Sequence, residues 1–121
     1  MFGFEKLAVW QKAIQYAEAI YVATRKFPND ERFGLRSQLR RAAISVSSNI
    51  AEGSSRSSKK DFSRFVEIGY GSLLETVSQL YIAQNQKFIA IEESTDLRDR
   101  AEELARMMSG LKNSLLSKDQ P

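Results

Sequence analysis

The residues of this chain whose types and spacing are best suited to chemistry are basic, and their chemistry is the binding of anions. Three arginines, Arg32, Arg36 and Arg40, are spaced four residues apart, so on an α-helix they lie on one side. Arginine presents a planar fork of N–H donors that matches the oxygens of a phosphate. The sequence therefore predicts a face that binds RNA or DNA, formed by Arg32, Arg36, Arg40, Arg41, Arg56, Lys59, Lys60 and Arg64.

The distribution of charge supports this interpretation more than the net charge of +3 does. Residues 25–64 contain ten bases and four acids, which leaves eight bases and eleven acids in the rest of the chain. A concentrated positive field attracts polyanions even when the whole protein is nearly neutral. Two structural roles are equally open to these arginines: they solvate one face of a helix, or they form salt bridges with the acid-rich fourth helix.

Several kinds of chemistry are excluded by composition. The chain contains no cysteine and no histidine, which removes disulfides, thiol catalysis, serine–histidine triads and the histidine ligands of di-iron bundles. No glycine-rich phosphate loop or nucleotide fingerprint is present either. We therefore predict a protein that is not an enzyme, with no catalytic or metal-binding residues and no cofactor.

Four polar residues near the end of the predicted second helix form a separate cluster: Ser45, Ser48, Asn49 and Glu52. They are poor choices for a helix interior and lie within an otherwise apolar pattern. We interpret them as a buried hydrogen-bond network that fixes helix register, rather than as catalytic groups.

Apolar residues recur at steps of three and four along most of the chain and predict four helices, at about 5–26, 31–52, 58–87 and 95–116. Gly53 is expected to end the second helix in a left-handed cap, and Gly34 to break its first turn. Ser58 is expected to cap the third helix, and Ser94 or Thr95 the fourth. The short connections predict a single all-α domain, residues 1–121, folded as an antiparallel up-down-up-down four-helix bundle. Residues 118–121 are expected to fray.

The first helix carries two apolar stripes where a bundle core needs one. Either the helix faces a wide core, or part of it is buried against another subunit. Gly69 and Gly71 lie inside the third helix, where each glycine costs roughly 1 kcal/mol relative to alanine, so close approach of a neighbouring helix is expected there. Four residues fall outside the narrow core row and favour a subunit interface: Phe65, Leu74, Tyr81 and Phe88.

Two segments carry a family resemblance, FPNDERFGLRSQLRRAAISVSSNIAEG and GSSRSSKKDFSRFVEIGYGSLLETVSQLYIA. The chain resembles the 23S rRNA intervening-sequence proteins from Phe4 to Ala83, with the Ser-Asn-Ile-Ala-Glu-Gly signature at Ser48–Gly53. Ser47 stands where the family usually has proline. The resemblance implies a four-helix bundle that assembles as a ring-shaped homopentamer without established catalytic activity. A remoter similarity, to accessory proteins of diversity-generating retroelements, implies binding to nucleic acid and a reverse transcriptase.

The sequence has neither a long apolar run nor a signal-peptide pattern at MFGFEK, so we expect a cytoplasmic protein without membrane association. The leading hypothesis is an oligomer of identical subunits that binds RNA or DNA phosphates. The rival is a protein-interaction scaffold whose charged faces order the ring and dock a protein partner. A small-molecule site between helices is neither supported nor excluded.

Overall fold

The computed structural model describes residues 1–117 and consists of four α-helices in that range. The prediction that residues 118–121 fray lies outside the described residues. Two short 3-10 turns precede the first two helices, Gly3–Lys6 and Asn29–Glu31. The helices are α1 (Ala8–Thr24), α2 (Leu35–Ser54), α3 (Lys59–Asn85) and α4 (Ile91–Leu116).

The helices form a closed bundle in which each packs against two neighbours. α1 contacts α2 and α4, and α3 contacts the same two helices, so α1 and α3 lie on one diagonal and α2 and α4 on the other. Gln38 faces Gln79 and Ser45 faces Ser72 across the α2–α3 seam, so residue numbers rise along one helix as they fall along the other. The same reversal relates α1 to α4 through two ion pairs. The predicted antiparallel four-helix bundle is confirmed.

The core is built from one stripe of each helix. Because α1 lies diagonally opposite α3, their side chains meet at the centre, where the Tyr16 hydroxyl lies 2.7 Å from Thr76 Oγ1. The largest fully buried apolar side chains around this contact are Ile20, Leu39, Val46, Ile50, Val66, Leu73, Leu80, Leu104 and Met108.

The end of α2 differs from the prediction. Gly53 is helical rather than left-handed, and α2 continues to Ser54. A Cβ atom at Gly53 would lie 2.6 Å from Phe65 Cβ and 2.9 Å from Phe62 Cδ1. The glycine is therefore required because α3 crosses close to the end of α2, and the predicted cap is wrong. The start of α2 agrees with the expected break, since Gly34 precedes its first residue.

A left-handed cap does occur, but at the end of α3. Lys87 has a φ of 63°, and the N–H of Phe88 donates to the carbonyl of Ala83 at 2.9 Å, the long hydrogen bond of a Schellman cap. The chain then turns through Ala90 into α4 without a side-chain cap. The prediction that Ser94 or Thr95 caps α4 is wrong: Ser94 is buried inside the helix, and the Thr95 hydroxyl donates to the Ile91 carbonyl.

Candidate nucleic-acid interface

The fold divides the predicted basic face into two groups. Arg32, Arg36, Arg40 and Arg41 lie around the first half of α2, beside the end of α1. Arg56, Lys59, Lys60 and Arg64 lie around the turn between α2 and α3, and we call these four residues the turn group. The helix from Arg40 to Ser54 spans roughly 21 Å at 1.5 Å per residue. One phosphate therefore cannot contact both groups.

The first group surrounds a single surface cavity of about 320 Å³, which we call the arginine pocket. Four arginines line it, and no acidic side chain is among its lining residues. Its other polar groups are the Ser37 hydroxyl and the side chain of Tyr21. A pocket with several guanidinium groups and no carboxylate has a strongly positive potential and is suited to a phosphate.

Two of these arginines are held by the last turn of α1, where Arg40 Nη2 donates to the Tyr21 carbonyl at 3.3 Å, and by Phe27 just after the helix. Arg36 Nη2 donates to the Phe27 carbonyl at 2.6 Å, and Arg40 Nε donates to Thr24 Oγ1 at 2.8 Å. The Arg40 guanidinium also lies 4.4 Å from the centroid of the Tyr21 ring. The last carbonyls of a helix lack partners within it and form its negative end, so cations are stabilised there. Arg36 and Arg40 are consequently fixed in place by neutral oxygen acceptors rather than by carboxylates.

Within one subunit, the hypothesis that these arginines form salt bridges with α4 is wrong. α2 and α4 lie on a diagonal of the bundle and do not pack against each other. Acids of α4 instead pair within their own helix, as Asp96 with Arg100 does, or with Lys12 of α1 and Lys26 just after it.

The other two arginines of the pocket are exposed. Within residues 1–117, neither Arg32 nor Arg41 has a carboxylate within ion-pair distance, and the Arg32 guanidinium lies 4.7 Å from the Phe33 ring centroid. Arg36 Nε is buried and has no acceptor among the described residues. Among residues 1–117, no carboxylate therefore forms an ion pair with the arginines of the pocket.

The turn group is partly neutralised by local acids. Arg56 lies 3.6 Å from Glu52 and covers the Phe65 ring at 4.5 Å, and Arg64 lies 3.8 Å from Asp61. Lys59 and Lys60 are exposed at the start of α3. Of the two groups, the arginine pocket is the stronger candidate for binding a phosphate.

Comparison with known proteins places the chain in a family. The sequence profile of the 23S rRNA-intervening sequence proteins matches residues 5–110. The chain belongs to this family. No curated protein sequence matches it. A solved structure of a protein of unknown function from the S23 ribosomal protein family of Bacteroides thetaiotaomicron has a TM-score of 0.78 and 20% identity, over 87% of this chain and 98% of that one. This likeness supports the four-helix fold alone.

In this member of the 23S rRNA-intervening sequence family, the predicted polar cluster is only partly assembled. Asn49 Nδ2 donates to the Ser45 carbonyl at 2.8 Å, and Ser45 Oγ lies 2.9 Å from Ser72 Oγ on α3. Ser48 is exposed on another side of α2, and Glu52 is exposed and pairs with Arg56. The hydrogen bond between Ser45 and Ser72 links the two helices and Asn49 supports it from within α2, whereas Ser48 and Glu52 take no part in it.

Sequence reasoning missed the groups that make the arginine pocket. The α1 carbonyls, Thr24 and Tyr21 lie well before the arginine row in sequence, and only the α1–α2 packing brings them together. Phe33 could have been identified from the sequence, since it is a large apolar residue between an arginine and a glycine at a predicted helix break. Among the described residues, no group of three or more acids is placed to hold a metal ion, and no helix is long and apolar enough to cross a membrane.

Proposed function

We propose that this protein is a non-enzymatic, self-associating four-helix bundle that binds the phosphate backbone of RNA or DNA through the arginine pocket. The observation that carries the proposal is the presence of four arginines around one cavity without an acidic lining residue. The family name refers to 23S rRNA, so a structured fragment of that RNA is the first probe to test, beside a duplex DNA.

Binding of this kind depends on salt. Each phosphate that a cation neutralises releases counterions, so the logarithm of affinity falls linearly with the logarithm of salt concentration, by about 0.9 per contact on duplex DNA and about 0.7 on single strands. Arg32 and Arg41 are the residues to change, because both are exposed and the fold does not depend on their hydrogen bonds.

The experiment is fluorescence anisotropy with labelled nucleic acid at several salt concentrations. We expect the double variant Arg32→Gln/Arg41→Gln to bind more weakly and to lower the salt slope by about 1.4 to 1.8. The matched control, Lys60→Gln/Arg64→Gln, removes the same charge from the turn group and should leave the slope nearly unchanged. Equal losses in both variants would assign binding to the general positive field and reject the pocket. An intact wild-type protein that binds neither probe at low salt would reject nucleic-acid binding altogether.

Self-association is supported by two apolar surfaces that face different directions. The first is a groove of about 500 Å³ between α1 and α2, which includes Ile14, Ala17, Val22 and Ile44, and we call it the α1–α2 groove. It includes the outer of the two apolar stripes of α1; the inner stripe, with Ala13, Tyr16 and Ile20, is buried in the core.

The second surface is the outer face of α3, which we call the α3 ridge. It exposes Ile68, Leu74 and Ile82 around Gly71, where an added Cβ atom would meet nothing within 4 Å. Gly69 is explained by this chain, since a Cβ atom there would meet Met108 and Asn49. No neighbour among the described residues explains Gly71, whereas a helix of another subunit packed against it would.

We therefore propose that the α3 ridge of one copy packs into the α1–α2 groove of the next. Because the two surfaces differ, the contact is head-to-tail and closes as a ring if the rotation between subunits allows it. Five is the subunit number that the family resemblance implies. The same exposed ridge is what favours the rival function, a scaffold that docks a protein partner.

A further inference from the structure

We infer that the arginine pocket takes single-stranded nucleic acid, with Phe33 as the surface on which one base stacks. This inference rests on the proposed function and narrows it, because phosphate binding alone does not distinguish a duplex from a single strand. The observation behind it is the contact of one exposed aromatic ring, Phe33, with Arg32, which lines the pocket.

Phe33 is unusually exposed for a phenylalanine. It lies in the turn between the 3-10 segment Asn29–Glu31 and the first residue of α2, and 84% of its surface is accessible. Leaving such a ring in water forgoes the hydrophobic stabilisation that burial would supply. Within this chain, the contact found for the ring is with the Arg32 guanidinium, 4.7 Å from the ring centroid. Most of the ring is therefore available to a ligand.

The ring is also linked directly to the arginine pocket. Arg32 lines the pocket and at the same time lies over Phe33. A phosphate held by Arg32 thus brings the base of its own or the neighbouring nucleotide to the ring. Cationic groups that follow the backbone, combined with an aromatic ring that stacks a base, are the two elements by which proteins hold single strands.

A duplex cannot use this arrangement, because its bases are already stacked and paired. Bases are free for stacking in single strands, loops, bulges and strand ends, which are also the parts of RNA that proteins mainly recognise by their bases. Stacking on an aromatic side chain changes affinity by about 5- to 150-fold per base and tolerates every base. We therefore expect a preference for strand state rather than for sequence.

A second exposed phenylalanine supplies the matched control. Phe2 is 73% exposed, but it lies at the opposite end of the bundle and its ring stacks on Phe4 with a centroid distance of 6.0 Å. It has the same side chain and nearly the same exposure without an adjoining arginine pocket.

The test compares Phe33→Leu and Phe2→Leu by fluorescence anisotropy with three labelled probes: a single-stranded oligonucleotide, an abasic strand of the same length and a duplex. We expect Phe33→Leu to weaken binding of the single strand at least 5-fold while leaving the abasic strand and the duplex unchanged, and Phe2→Leu to change none of them. Both phenylalanines are exposed, so circular dichroism should show an unaltered bundle.

Two kinds of outcome would overturn the inference, and only one of them would also reject the proposed function. If Phe33→Leu binds the single strand as tightly as the wild type, or if the abasic strand already binds as tightly as the normal one, stacking is wrong and phosphate binding by the pocket survives. If the intact wild-type protein binds none of the three probes at low salt, the proposed function fails together with the inference.

Discussion

The hydrogen bond between Tyr16 and Thr76 shows how a single pair of residues joins opposite helices of this bundle. The Thr76 hydroxyl has one proton, which it donates to the Leu73 carbonyl at 2.6 Å. The Tyr16 hydroxyl, 2.7 Å away, therefore donates to Thr76 Oγ1 rather than accepting from it. Thr76 is fully buried and Tyr16 nearly so, and the direction of the bond decides what each substitution costs.

We expect Tyr16→Phe to lower the free energy of unfolding by about 1 kcal/mol, because Thr76 keeps its bond to Leu73. Thr76→Val should cost more, about 1 to 3 kcal/mol, because it leaves the Tyr16 hydroxyl buried without an acceptor. The double variant should cost less than the sum of the two. Urea denaturation of the four proteins measures this cycle, and strictly additive losses would show that the two hydroxyls do not interact.

The same tyrosine makes stability depend on pH in the alkaline range. Burial raises the pKa of Tyr16 from 10.0 to about 12 because it disfavours the charged phenolate. The unfolded chain therefore loses this proton at lower pH than the folded protein does. The contribution of Tyr16 is fully present below pH 10 and is lost as pH rises from about 10 to 12, by roughly 3 kcal/mol in total. Urea midpoints at pH 8 and pH 11 should differ more in the wild type than in Tyr16→Phe; equal differences would contradict this assignment.

Glycines that look alike in sequence have opposite effects in this fold. We expect Gly53→Ala to destabilise the protein by about 1 to 2 kcal/mol, because overpacking against Phe62 and Phe65 exceeds the gain in helix propensity. Gly110 of α4 has nothing within 4 Å of an added Cβ atom, so Gly110→Ala should stabilise by up to about 1 kcal/mol. Thermal denaturation of both variants tests the comparison. A gain in stability from Gly53→Ala would show that α2 and α3 are not in close contact there.

At the scale of the helices, periodicity predicted the number and order of elements but not all of their ends. The glycine at position 53 indicated that a side chain is disfavoured there. The sequence alone did not show whether a left-handed cap or a crossing helix was the cause. At the end of α3 the sequence did not predict the left-handed cap, because Lys87 occupies the left-handed position instead of a glycine. Packing decided both ends, and packing between distant segments is not visible in a local pattern.

Substitution of Ser58 and of Thr95 tests which of the predicted helix caps are formed. The Ser58 side chain accepts a hydrogen bond from the Asp61 N–H at 3.1 Å, as expected for the first turn of α3. Thr95 lies inside α4, where its hydroxyl donates to the Ile91 carbonyl and accepts a hydrogen bond from Arg98 Nη2 at 3.1 Å, so it does not cap the helix. We expect Ser58→Ala to cost about 1 kcal/mol and Thr95→Ala to change stability by less than about 0.5 kcal/mol. Urea denaturation compares them, and a larger loss in Thr95→Ala would place the start of α4 where the sequence suggested.

At the scale of the whole molecule, the sequence predicted which residues are basic but not how they are grouped. It treated eight cations as one face, because a helical pattern shows which residues share a side and not how far apart they are across a turn. It also left open whether the arginines meet α4, since a linear pattern does not reveal which helices are diagonal. The four-arginine pocket exists because the end of α1 packs beside α2, a relation between elements rather than within one.

The proposed head-to-tail contact between the groove and the ridge has a property that a symmetric contact lacks. Val22→Glu places a charge in the α1–α2 groove, where Val22 is 56% exposed, and Ile68→Glu places one on the α3 ridge, where Ile68 is 57% exposed. We expect each variant alone to be monomeric, because every contact needs one intact groove and one intact ridge. A mixture of the two should form dimers and nothing larger, because the ridge of Val22→Glu can still enter the groove of Ile68→Glu and no further site remains. Ile91→Glu, at a residue that is 61% exposed and outside both surfaces, should leave the wild-type mass unchanged. Size-exclusion chromatography with light scattering distinguishes these cases. A mixture that stays monomeric, or a control that disperses equally, would show that the groove and the ridge do not bind each other and would leave the ridge to a different protein partner.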